Sequence, residues 1–106
     1  MTDRNDRSRV AVTGIGVTCP LGGNQREFWD AAMAGRCGIG DLDLFESEGC
    51  LSHRAAQVKE LRRPGARGRR VPRRATRTDL LCLAAAEEAL EQAGLAESGS
   101  LGDFGV

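Results

Sequence analysis

The 106-residue sequence predicts an α/β fold with an incomplete sheet. Helix-capping signals near Asn24 and Thr78 alternate with short apolar runs at Val10–Val12, His53–Val58 and the end of the chain, an order typical of α/β proteins. Two short strands and a stub at 101–106 make a poor sheet, because at least three strands with a covered face are needed for stability. The chain therefore has the pattern of the beginning of a domain.

The first half predicts one strand and one helix. Residues 1–8 are polar with mixed charge and predict a disordered lead-in. Val10–Val12 predict a strand that runs into a glycine turn. Asn24 is the predicted N-cap of the first helix, with Glu27 completing a capping-box-like pair three residues later. Gly35 lies where a left-handed residue ends a helix.

The second half predicts a long connection, a short strand and a second helix. Residues 36–52 are rich in glycine and acidic residues, which predicts a connection. His53–Val58 predicts a short strand, and 59–77 an exposed loop. Thr78 is the predicted N-cap of the second helix, which ends at Gly94. Its apolar residues recur at helical spacing and predict a buried stripe: Leu83, Ala86, Leu90 and Ala93.

Composition excludes several classes of protein. Fifteen Lys and Arg balance fifteen Asp and Glu, so no net charge attracts the chain to nucleic acid or to an anionic membrane. The N-terminus has no apolar signal region, and no run approaches the roughly 20 apolar residues that span a bilayer. We therefore expect a cytoplasmic protein without a membrane segment. The four cysteines lack zinc-site spacing and predict reduced thiols, although their even number leaves a disulfide open.

The motif Gly14-Ile15-Gly16 resembles part of a nucleotide-binding loop. A dinucleotide fingerprint needs a third glycine that opens directly into a helix, whereas Cys19 stands at that position and Pro20 follows it. The glycines are better explained by close packing or by unusual backbone dihedral angles. We predict no cofactor site here.

Other candidate sites are weaker. Cys19 lacks the neighbouring base or helix N-terminus that activates a thiol, and Cys82 lies in an apolar helical run that predicts a small core residue. The acidic residues between Asp41 and Glu48 lack the pattern of a calcium loop and predict a solvated segment. We predict no metal site.

The strongest charge feature is an arginine-rich segment. Nine of the fifteen basic residues fall between Lys59 and Arg77, with Glu60 as the single acidic residue among them. Such a segment can bind phosphates of nucleic acid, dock an acidic protein, or lie solvated. No aromatic residue is interleaved to stack on bases, which disfavours nucleic acid.

Taken in order, several motifs resemble the opening of β-ketoacyl-acyl-carrier-protein synthases. The resemblance runs from about Arg9 to Val106, and the joint match is far more specific than any single motif. Cys19 and Cys37 stand where that family usually has Thr or Ser. The matching segments are Thr13-Gly14-Ile15-Gly16, Pro20-Leu21-Gly22, Phe28-Trp29, Ala34-Gly35-Arg36, Gly38-Ile39 and the second helix with its preceding basic segment.

The resemblance implies a partial thiolase-like fold, namely the start of the N-terminal αβαβα half, with an incomplete synthase domain at 9–106. It implies an acyltransferase ancestry in fatty-acid or polyketide synthesis, by decarboxylative Claisen condensation. The family uses one cysteine and two histidines, whereas this chain has the single His53. We therefore expect a chain truncated before the catalytic residues and inactive alone, and we assign no catalytic residue.

The resemblance also implies a partner. In bacterial elongating enzymes the basic segment before the long helix contacts the acidic carrier protein, and by spacing Arg70, Arg73 and Arg74 match those positions. The alternative function is a non-enzymatic module that binds a carrier protein, or complements or associates with a ketosynthase, through the arginine-rich segment. A solvated loop remains a third explanation of these arginines.

Overall fold

The computed structural model describes residues 8–61 and 71–95. Two helices and two strands follow one another in this part: α1 (Gln25–Met33), β1 (Ile39–Asp41), β2 (Arg54–Ala56) and α2 (Arg77–Gln92). This is an α/β arrangement, as the sequence predicts. Apart from Ser8, the predicted lead-in lies outside the described residues, and so do the predicted final strand and Arg70.

Residues 8–18 form no strand, so the predicted strand at Val10–Val12 is wrong for the described chain. The side chains of Val10 and Val12 are 92% and 79% exposed. A strand needs a neighbour that receives its backbone N–H and C=O groups, and the described sheet consists of β1 and β2 alone. The segment has the composition of a strand but no strand beside it in the described residues.

Helix α1 begins and ends near the predicted residues. Asn24 is its N-cap, and the Asn24 Oδ1 atom accepts the Glu27 backbone N–H at 2.9 Å. The Glu27 carboxylate accepts the N–H of Gly23 at 2.8 Å, one residue before the N-cap N–H that a capping box would use. Gly35 adopts a φ of 70°. Its N–H and that of the next residue close the last turn, as in a Schellman motif.

Strands β1 and β2 form a two-stranded antiparallel sheet. Ile39 pairs with Ala56, and Asp41 pairs with Arg54. Strand β2 confirms the short strand predicted within His53–Val58. Strand β1 lies inside the segment predicted as a connection, and its Ile-Gly-Asp sequence explains the error, because glycine and aspartate are depleted in strands.

Helix α2 begins at Arg77 with Thr76 as its N-cap, so the predicted cap at Thr78 is wrong by two residues. The reason is the position of Asp79. From Thr76, Asp79 is the third helical residue, and its carboxylate accepts the Thr76 backbone N–H at 2.8 Å while the Thr76 hydroxyl accepts the Asp79 N–H at 3.3 Å. A cap at Thr78 would place Leu81 in that role, which cannot return the bond.

The end of α2 confirms the predicted stop at Gly94, whose φ is 73°. The Gly94 N–H donates to the carbonyl of Glu91 at 3.1 Å, and the Leu95 N–H donates to that of Leu90 at 2.9 Å. Both helices therefore end with a left-handed glycine and the same pair of closing bonds.

Burial among the described residues is concentrated on small side chains. Ala31 of α1 and Ala84 of α2 are the buried apolar residues there. The stripe predicted for α2 is not buried as a whole, because Leu83 and Ala86 are exposed, and so is Cys82. The face of α2 that packs on the glycine motif carries Ala85 and Ala89, together with Ala93 from the predicted stripe. Neither described helix is long and apolar enough to cross a membrane.

Candidate functional site

The glycine motif packs directly on α2. A Cβ atom on Gly16 would lie 1.6 Å from the carbonyl oxygen of Ala85, and one on Gly14 would lie 2.0 Å from that of Ala89. Neither glycine has a positive φ. Gly14 and Gly16 are therefore required for a close approach of two backbones, which confirms packing and not an unusual dihedral angle as their role.

Two backbone N–H groups, one in the motif and one just after it, donate to side chains of α2. The Ile15 N–H donates to Gln92 Oε1 and the Val17 N–H to Glu88 Oε1, both at 2.8 Å. The side-chain amide of Gln25 donates to the Ile15 carbonyl and, at 3.0 Å, to Gln92. A phosphate cradle needs free N–H groups that point at the ligand. Since the donors at residues 15 and 17 are used within the fold, the motif is a structural joint.

Glu88 also occupies the N-terminus of α1. Its two carboxylate oxygens accept the Gln25 N–H at 3.2 and 3.0 Å. The positive end of a helix dipole favours a negative group at this position. One part-buried carboxylate thus joins the glycine segment, α1 and α2, a role that sequence reasoning missed.

Cys19 lies in a tight turn before α1. Its N–H and C=O exchange bonds with those of Gly22, at 2.9 and 3.1 Å, across Pro20 and Leu21. The imidazole of His53 is engaged elsewhere, with Nδ1 2.8 Å from the Ser47 hydroxyl. All four cysteines are free thiols in the structure.

A cleft of about 710 Å³ lies between this turn and the sheet. The turn and the residues of β1 form its walls, with Gln57, Lys59 and Glu60 following β2. Both Cys19 and Cys37 line it. Within residues 8–61 and 71–95, no group of three His, Cys, Asp or Glu side chains could hold a metal ion.

The acidic connection is fixed by one amide and one ion pair. The buried Gln57 accepts the N–H groups of Asp43 and Leu44 at 3.2 and 3.1 Å and donates to the Asp41 carbonyl at 2.8 Å. Lys59 Nζ lies 2.9 Å from Asp43 Oδ2, and this hydrogen bond and charge raise the pKa of Lys59 above its usual value. The pair is well exposed to solvent, so it contributes little stability.

Two of the three arginines predicted to dock a carrier protein can be described. Arg73 and Arg74 are exposed and occupy the centre of a turn closed by the Ala75 N–H on the Pro72 carbonyl at 3.0 Å. The turn immediately precedes α2. Arg77, the first residue of α2, instead donates to the Val58 carbonyl and joins α2 to the segment after β2. Two arginines of the segment are thus presented to solvent while a third is structural.

This arrangement is an α/β scaffold with an exposed basic turn before α2. Comparison with known proteins identifies the scaffold. The family model of the β-ketoacyl synthase N-terminal domain matches residues 7–106, and the chain belongs to this family. The resemblance inferred from the sequence is confirmed.

The relatives include 3-oxoacyl-[acyl-carrier-protein] synthases and polyketide β-ketoacyl synthases. The chain is 29% identical over 93 residues to the chloroplastic 3-oxoacyl-[acyl-carrier-protein] synthase I of Hordeum vulgare, covering 88% of this chain and 20% of that protein. It is 38% identical over 100 residues to a putative polyketide beta-ketoacyl synthase 1 of Streptomyces cyaneus, covering 92% and 22%. The chain thus spans about a fifth of the length of these relatives.

Proposed function

We propose that this chain forms part of the scaffold of a β-ketoacyl synthase with the thiolase-like fold. Such a synthase is an acyltransferase of fatty-acid or polyketide synthesis. The chain alone does not transfer acyl groups. Family membership supports the synthase, and the histidine count supports inactivity. Decarboxylative condensation in this family uses two histidines beside a nucleophilic cysteine, and this chain has one histidine. That histidine is hydrogen-bonded to Ser47, which lies on the connection between the strands.

An acylation experiment tests the inactivity of the chain. The purified 106-residue chain is incubated with a radiolabelled acyl-carrier protein, with a β-ketoacyl synthase as the positive control and iodoacetamide labelling as a check on thiol access. We expect no label on the chain, because the family pairs its nucleophilic cysteine with two histidines, and the one histidine of this chain is hydrogen-bonded to Ser47. A stable acyl thioester on Cys19, Cys37, Cys50 or Cys82 would overturn the proposal.

The exposed basic turn supports a second function, docking of an acidic acyl carrier protein through Arg73 and Arg74, with Arg70 as the third member from the family resemblance. Opposite charges on the two surfaces speed and orient the encounter. Exposed charges interact through salt solution only over about 8–10 Å at physiological ionic strength. Docking through this turn therefore weakens as salt rises.

A titration with carrier protein at low and high salt tests this function. We expect R73E/R74E to weaken binding by at least about tenfold at low salt, because two attractive contacts become repulsive. The matched control is R26E/R36E, which makes the same charge change at two other exposed positions. Equal losses in the two variants, or no binding at low salt, would contradict docking at this turn. Tighter binding to random RNA than to carrier protein would favour the nucleic-acid alternative.

A further inference from the structure

The cleft beside the sheet brings together two cysteines that are distant in sequence. Cys19 belongs to the tight turn before α1, and Cys37 follows the end of α1; both line the cleft. Their chain neighbours approach closely, because a Cβ atom added to Gly38 would lie 2.9 Å from the Cβ of Pro20. The fold therefore holds the two cysteine-bearing segments against each other at the two ends of α1.

The two thiols differ in access. Cys37 is exposed, whereas Cys19 is partly covered. Oxidation by thiol–disulfide exchange begins at the accessible thiol and is completed by a neighbouring thiol that resolves the mixed disulfide. Exposed Cys37 suits the first role, and Cys19 suits the second.

We propose that Cys19 and Cys37 form a reversible redox pair that closes a disulfide across the two ends of α1. The oxidant is a small disulfide such as oxidised glutathione. The Cys37 thiolate attacks it, forming a mixed disulfide and releasing one glutathione thiolate. The Cys19 thiolate then attacks the Cys37 sulfur and releases the second. Two protein thiols become one disulfide, one small disulfide becomes two thiols, and the protons lost by the cysteines pass to the released thiolates.

The consequence of closure concerns the two ends of α1. The bond would tie the Cys19–Gly22 turn to the segment that leads into β1, and so enclose α1 in a covalent loop. Cross-linking distant residues restricts the unfolded chain, which favours the folded state. The pair is independent of the basic turn, so it can be tested without reference to carrier-protein binding.

The test compares two pairs of cysteines in the same chain. The C50S/C82S variant retains Cys19 and Cys37, and the C19S/C37S variant retains Cys50 and Cys82 as the matched control. Each is equilibrated with reduced and oxidised glutathione at a series of ratios, quenched with acid, and digested for mass spectrometry of the linked peptides. The shorter separation along the chain favours disulfide formation by the first pair by only about twofold.

We expect the Cys19–Cys37 disulfide to form at a glutathione ratio at least about tenfold more reducing than the control pair requires. In 6 M guanidinium chloride the advantage should fall to the value set by chain separation, since the fold no longer holds the segments together. The proposal is overturned if both pairs close at the same ratio under native conditions. It is also overturned if Cys19 and Cys37 each accumulate glutathione without a linked peptide.

Discussion

The contact between residues 13–18 and α2 differs from the contact between β1 and β2 in how it is specified. In the first, two segments about seventy residues apart meet because Gly14 and Gly16 carry no side chain. Glu88 and Gln92 accept the N–H groups of the residues that follow these glycines. In the second, three residue pairs form a short ladder joined by one connection. The first contact depends on particular residues, and the second depends mainly on backbone pairing.

The same difference appears in what each contact tolerates. At Gly16 an added methyl group would meet the backbone of α2, whereas at Gly40 in β1 an added Cβ has nothing within 4 Å. A backbone cannot move aside as a flexible side chain can, so the glycine joint is the more demanding part of the fold. A small substitution in the β1–β2 ladder should therefore destabilise the fold less than the same substitution at the glycine joint.

The largest expected effect is that of Gly16→Ala. Its Cβ would lie 1.6 Å from the Ala85 carbonyl oxygen, so the segment must move away from α2 and weaken the neighbouring Val17–Glu88 bond. Overpacking of this kind lowers the free energy of unfolding by about 1–3 kcal/mol, measured by urea denaturation. Gly40→Ala is the control, and we expect it to change stability by less than about 1 kcal/mol. Equal destabilisation by the two substitutions would show that the joint is no more demanding than the ladder.

The next effect concerns Glu88, the carboxylate that links three segments. Glu88→Ala leaves the Val17 and Gln25 N–H groups without their acceptor, which should lower the free energy of unfolding by about 1–3 kcal/mol in the same urea experiment. Glu88→Gln keeps one acceptor oxygen and should lose less. Asp43→Ala, which breaks the exposed pair with Lys59 near the strands, should have a smaller effect than Glu88→Ala. A larger effect at Asp43 would reverse the ranking of the two regions.

The sequence predicted best where a local rule acts. Asn24, Gly35 and Gly94 were identified from capping patterns within a few residues, and the structure uses each of them at the predicted helix end. Thr76 could have been found in the same way, because a Thr three residues before an Asp is the spacing of a capping box. Thr78 lacks such a partner, because Leu81 stands three residues after it.

The sequence predicted least where partners are distant. Nothing in the local pattern around Glu88 indicates that it receives N–H groups from residues 17 and 25, more than sixty positions earlier. The apolar stripe of α2 was assigned by periodicity, which identifies an apolar face but not which face meets a neighbour. The paired glycines opposite alanines were the available signal for that face, since small residues on both sides permit close contact.

The candidate site also has one part that the sequence predicted and one part that only the fold reveals. The arginines of the basic turn were selected by family resemblance, and the structure adds that Arg73 and Arg74 are exposed while Arg77 serves the fold. The shared cleft of Cys19 and Cys37 was not predictable from their irregular spacing, because it depends on how the chain returns after α1.

The smallest expected effect separates the two regions by pH. In the capping box of α2, hydrogen bonds from the Thr76 backbone N–H and then its hydroxyl lower the pKa of Asp79 below 3.8. A carboxyl whose pKa is lower in the folded state stabilises fully above its unfolded pKa, and this contribution is lost as pH falls through the folded value. Beside the strands, Lys59 has the opposite sign: its pKa is raised above 10.5 by Asp43, so its contribution to stability is lost as pH rises above that value.

We therefore expect Asp79→Asn to reduce the loss of ellipticity at 222 nm between pH 4 and 2 without affecting the alkaline limb. We expect Lys59→Met to reduce the loss of ellipticity above pH 10.5 without affecting the acid limb. The Thr76→Val variant, which keeps the backbone donor and removes the hydroxyl, should retain most of the acid effect, because the backbone bond is the larger cause. If Asp79→Asn left the acid limb unchanged, the capping box would not be contributing to the pH dependence of α2.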